Sequence, residues 1–222
     1  MNSVLLVFVV LLCFATVFVL KPKDHSQITL FLEFSGAFLL ALIFFELIPK
    51  VYVEGNIRIN ALCILIGILL QVFLEFFSKG AEHGHMHWKL SKNRFPIVLF
   101  LSLSLHALIE GVPLSSDGKM IYGILIHKIP VAFVLSVFLL NSRLQLSLSV
   151  LFMTLFALMT PLGSHLVDLY PFTQFKTQLM ALAIGILLHI STVILFESAK
   201  DHVFDLKKLV VIVLGFGAAF VM

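Results

Sequence analysis

Eight apolar runs, each close to the length of a membrane crossing, divide the chain at 3–20, 29–49, 57–77, 96–115, 119–140, 145–168, 175–197 and 206–222. A helix needs about 20 apolar residues to cross the hydrocarbon core. Such a crossing must satisfy its own backbone polar groups, so the runs predict helices, and the fold class is an all-α polytopic membrane protein with eight transmembrane helices. Composition agrees: 60% of the 222 residues are hydrophobic, 12% are charged, and mean hydropathy is +1.11. A soluble domain cannot cover a surface that apolar. The connections are short, so one domain over 1–222 is expected, with the segment 78–95 as its longest loop. No basic stretch precedes the first run and no small-residue cleavage site follows it, so it is expected to be a retained helix. Cys13 and Cys63 lie inside apolar runs and are expected to pack rather than bridge.

Basic residues give the orientation. The loops after runs one, three, five and seven hold ten Lys and Arg, and those after runs two, four and six hold four (Lys50, Arg58, Lys119 and Lys176). The positive-inside rule then predicts both termini outside the cytoplasm. The segment 78–95 falls on the cytoplasmic side. It carries His83, His85 and His87 at alternate positions, a spacing that suits wrapping one ion in an extended chain or an incidental polar loop equally.

Two runs carry ionisable groups at their centres. In LSLHALIEGVPLS (103–115), His106 and Glu110 are four residues apart, one turn apart on one helix face. In YGILIHKIPVAFVLS (122–136), His127 and Lys128 stand just before Pro130. Ionisable groups inside a bilayer are costly and point first to function. Imidazole and carboxylate suit Zn²⁺ or Fe²⁺, so His106, Glu110 and His127 form a candidate metal site. The competing structural reading pairs Glu110 with Lys128 and hydrogen-bonds His106 to a neighbouring helix. Pro113 and Pro130 each remove a helix hydrogen bond beside these residues, freeing the carbonyls of Ile109 and Ile126. His189, mid-run in the seventh span, is a further candidate along an ion path. Glu33, Glu46, Gln71, Glu75, His165 and Asp168 are weaker signals. A membrane zinc hydrolase, a haem carrier using His106, His127 and His189, and a metal sensor or inactive relative stand as rival functions.

HALIEGVPL (106–114) and HKIPVAFVLS (127–136) resemble the fourth- and fifth-span motifs of the ZIP (Zrt/Irt-like) metal transporters. MTPLGSHL (159–166) and GAFLLALIFFELIP (36–49) are similar to that family's sixth and second spans, and the His-bearing loop also matches. The resemblance implies a three-plus-two-plus-three arrangement of eight helices, the outer triplets related by an inverted repeat. Gly36 with Glu46, and Gly185 with Glu197, faintly echo that relation. It implies transport of a divalent metal, zinc foremost with iron or manganese as alternatives, into the cytoplasm. The metal is then cargo; no prosthetic group and no enzyme activity are expected. The expected partners are the ion, the bilayer of the cell membrane and a second copy of the chain, with no nucleic acid. Where the bacterial two-metal pattern has a Glu after the fifth-span proline, this chain has Val131; where Asn and Asp are common it has Ala107 and Lys128. These departures imply one ion rather than two, with the Lys128 ammonium near the missing ion's place.

Overall fold

A computed structural model describes residues 2–22, 26–78, 92–115, 120–197 and 206–222. His83, His85 and His87 lie outside the described residues. Among the described residues all regular structure is helical: α1 (Asn2–Leu20), α2 (Ser26–Leu42), α3 (Ile48–Val53), α4 (Ile57–Ser78), α5 (Ile97–Glu110), α6 (Met120–Asn141), α7 (Leu146–Leu166), α8 (Lys176–Glu197) and α9 (Leu206–Val221). Each of the eight apolar runs is helical. Six of the crossings are long and apolar enough to span a bilayer. The first run gives α1, one residue longer than the expected 3–20, and the last gives α9, one residue shorter than the expected 206–222. With 16 residues, α9 rises only ~24 Å at about 1.5 Å per residue.

Two local departures from plain helices have sequence causes. The second run extends past Pro49 to Val53, through a π-helical turn at Ile43–Leu47 that leads into α3. Pro49 has no N–H for the carbonyl four residues back, and the wider turn accommodates that break. The fourth run is not one helix kinked at Pro113. Instead α5 ends at Glu110, Gly111 caps it, and Val112–Ser115 winds as a 3₁₀ turn. Proline here ends the α-helix beside the ionisable residues. By contrast α6 runs through Pro130 without ending.

The turn between α3 and α4 is held by side chains. Asn56 Oδ1 accepts the N–H groups of Arg58 (3.0 Å) and Ile59 (3.2 Å), a helix N-cap. Buried Asn60 donates to the carbonyls of Val51 (2.7 Å) and Glu54 (2.8 Å), while Gly55 takes the left-handed φ of 82° that the turn requires.

The apolar side chains form two main cores. One is built from α1, α5, α6 and α7, around residues such as Val10, Leu103, Leu135 and Phe156. The other gathers α2 to α4 with α8 and α9, around Phe38, Leu42, Ile64, Ile184 and Ala219, and takes in Met120 from the start of α6. A third cluster joins them, with Ile109, Val112 and Val131 facing Ile186, Ile190 and Ile194. The main helix pairings are α4 on α8, α2 on α9, α1 on α6 and α5 on α7, with α2 also on α6 and α8, and α1 on α7.

Candidate metal site at the α5–α6 level

Leucine and isoleucine positions hold α5 in the bundle and turn its ionisable face inward, so that His106 and Glu110 are both buried. His127 and Lys128 are buried on α6, next to Pro130. Two glycines let the neighbouring helix come close. A Cβ on Gly163 of α7 would lie on the carbonyl of Leu108, and one on Gly111 would lie on the carbonyl of Thr160. Backbone therefore meets backbone at the end of α5, within one turn of Glu110. The MTPLG segment supplies this contact through Thr160 and Gly163.

Glu110 is ion-paired to Lys128 through Oε2, the two side chains being 0% and 2% exposed. Its other oxygen, Oε1, is buried and accepts no hydrogen bond from the described residues. The Lys128 ammonium also lies 4.9 Å from the centre of the Phe156 ring on α7, a cation–π distance. The ammonium thus sits between a carboxylate and an aromatic face. A pair this deeply buried is costly to break, because the partner left behind would have neither water nor a counter-ion.

Among the described residues, no three His, Cys, Asp or Glu side chains come together closely enough to hold an ion. The structure joins Glu110 to Lys128; it buries His106 and His127 on the same two helices without gathering them and Glu110 into one three-ligand cluster. Near Pro130, the Cys13 thiol on α1 points to the carbonyl of Ile129 at 3.8 Å.

The remaining candidates lie elsewhere. His189 Nε2 is 2.7 Å from Glu75 Oε2, which ties α8 to α4 in the other core group. Glu33 on α2 is almost fully buried and 3.2 Å from the Lys208 ammonium of α9, an ion pair without hydrogen-bond geometry. His165 is exposed on α7, and Asp168 pairs with Lys176 at 2.7 Å, whose ammonium also reaches the carbonyl of Ser115. Phe156, one of 23 phenylalanines, had no sequence signal; Glu75 was a weak one, but nothing linked it to His189, 114 residues away.

Comparison with known proteins agrees with the motifs. A family model described as ZIP zinc transporter matches residues 79–222, more than half of the chain and all of α5 to α9. The chain is also similar to Zinc transporter ZIP1 of Danio rerio, 36% identical over 90 residues. That alignment covers 38% of this chain and 30% of the relative, so the two share less than a third of the relative's length.

Proposed function

The chain belongs to the ZIP zinc transporter family, and from that premise we propose that it carries a divalent transition metal ion, zinc foremost, through the membrane into the cytoplasm. The family is one of transporters rather than enzymes, and the hydrolase alternative gains no support. Our reading assigns the ion to His106, Glu110 and His127. The observation that carries it is a buried carboxylate that shares one oxygen with a buried ammonium and keeps the other without a hydrogen bond from the described residues.

An arriving ion would take the place of Lys128 on Glu110. The displaced ammonium has the Phe156 face to rest against. Two neutral imidazoles and one carboxylate supply borderline ligands, with water completing the shell. Glu110 and Lys128 cancel in charge, so a divalent ion brings two uncompensated charges into a low-dielectric interior. That opposes tight retention and favours release.

The inverted repeat is supported by the pattern of packing. Exchanging α1 with α7, α2 with α8, α4 with α9 and α5 with α6 turns the α4–α8 pairing into α9–α2. It turns α1–α6 into α7–α5, and leaves α1–α7 and α2–α8 unchanged. The two separate cores suit a motion of α1, α5, α6 and α7 against the other helices, over the branched aliphatic contact between them. The basic-residue count favours both termini outside the cell membrane's cytoplasmic face, and a homodimer is the assembly that family resemblance favours.

The test is uptake of radioactive zinc into proteoliposomes, with other divalent ions as competitors. His106→Ala, Glu110→Ala and His127→Ala should each abolish saturable uptake. Normal uptake by a well-inserted His106→Ala or His127→Ala protein would refute the assignment.

A further inference from the structure

A cavity of about 710 Å³ opens away from the His/Glu site, where α1 ends and α6 turns into α7. Val17 and Phe18 of α1, Val137 and Leu140 of α6 and Leu146 of α7 give it apolar walls, and exposed Lys21 lines it at the helix end. Its volume is in the range of ligand sites, roughly 300–1,000 Å³.

Among the described residues, its surroundings carry charge of one sign. Arg143 lies in the α6–α7 turn, next to the lining residue Leu144. The segment with Lys92 and Arg94 is fastened to the same turn, because Gln145 donates its N–H to the Lys92 carbonyl (3.1 Å) and its side-chain amide to Asn93 Oδ1 (2.9 Å). Among the described residues, none of these four basic side chains is in an ion pair. No Asp or Glu occurs in 2–22, 92–109 or 120–167, so α1, α6 and α7 have no acidic residue. Lys21 also has a φ of 44°, the left-handed conformation that closes α1. Glycine is the cheapest residue at such a helix end, so a lysine there is held against a backbone cost.

A cleft between transmembrane helices with apolar walls and polar Asn141 and Ser149, and with cations that pair with no described residue where the helices meet the headgroups, has the chemistry of a lipid site. We propose that this cavity binds an anionic phospholipid, its acyl chain against Val17, Phe18, Val137 and Leu140 and its phosphate at Lys21 and Arg143. The proposal rests on the chain spanning a bilayer with this face at its surface, and on nothing in the metal site. The basic-residue count puts the same face on the cytoplasmic side, where anionic lipids concentrate.

Native mass spectrometry of the purified full chain, released from micelles containing equal amounts of phosphatidylglycerol and phosphatidylcholine with identical acyl chains, tests it. Each Lys or Arg near an anionic headgroup contributes about 1 kcal/mol, roughly fivefold in occupancy. The wild-type chain should therefore favour phosphatidylglycerol at least fivefold, and Lys21→Gly combined with Arg143→Ala should bring the ratio close to one. That pair leaves the packing untouched, and glycine suits the backbone at residue 21, so it decides the matter even if a bulkier variant fails to fold. Val137→Trp should fill the cavity and reduce both lipids. Equal binding of the two lipids by the wild-type chain, or a preference that survives the double substitution, overturns the proposal. So does displacement of the lipid by millimolar inorganic phosphate, which marks a free-anion site.

Discussion

Removing the charges of Glu110 and Lys128 singly and together measures what the buried pair contributes. Both side chains are essentially inaccessible, at 0% and 2% exposure. Taking one partner from a buried pair typically costs about 3–5 kcal/mol, because the remaining charge is left desolvated. In Glu110→Gln the ammonium keeps the Phe156 ring, a contact worth up to about 2 kcal/mol when desolvated. The loss should therefore fall near the lower end, about 3 kcal/mol. In Lys128→Met the stem still packs, but the carboxylate keeps no partner among the described residues, since Oε1 already accepts no hydrogen bond from them; about 4–5 kcal/mol is expected. With both replaced, no charge remains to be solvated, and the double variant should lie within about 1 kcal/mol of the parent. The coupling energy should thus be about 6 kcal/mol or more, well above the usual range of about 0.5–3 kcal/mol for contacting residues. Reversible unfolding in mixed detergent micelles, followed by far-ultraviolet circular dichroism, gives the four free energies. Losses that simply add, to within about 0.5 kcal/mol, would show that the two charges do not depend on one another. The displacement step proposed for metal binding would then lose its basis.

Gly163→Ala should cost at least about 1–3 kcal/mol in the same assay and lower zinc uptake with it, since the added Cβ meets the backbone of α5 rather than a movable side chain. Gly217→Ala is the matched control: its Cβ meets nothing within 4 Å, so stability should rise by no more than about 1 kcal/mol and uptake should be unchanged. Replacing His83, His85 and His87 together with Ala should shift apparent affinity or regulation while uptake continues; complete loss in a correctly inserted protein would make the loop part of the obligatory path.

Hydropathy made the helices legible because each crossing is a nearly continuous apolar run, and the bilayer leaves few other ways to satisfy the backbone. Glu110 and Lys128 were legible as possible partners because a buried charge of either sign needs the other. Their shared contact with Phe156 was not legible, since lipid-facing, core and ring-stacking phenylalanines look alike in a chain so rich in them. The His189–Glu75 and Glu33–Lys208 pairs join helices far apart in sequence, and no local spacing marks them. Pro113 showed that the fourth run would be disturbed. Whether it kinked or ended the helix depended on Gly111 and the approach of α7, which only the packed structure reveals. The division into two cores was equally hidden, because it follows from which faces meet rather than from any one segment.

That division bears on how the chain is made. The first helix packs on α6 and α7, which follow it by roughly a hundred residues or more, while the second packs chiefly on α9, α6 and α8. Consecutive elements are usually neighbours, yet α1 leaves the insertion machinery long before its eventual companions are synthesised. During that interval it must reside in lipid by itself, which the uncharged sequence of Asn2–Leu20 permits. The other group faces the same delay, since α2 and α4 wait for α8 and α9. Chains halted before residue 120 should consequently hold inserted helices whose main mature interhelical contact is that of α4 with α5, fastened by the Ser102 hydroxyl on the Leu74 carbonyl.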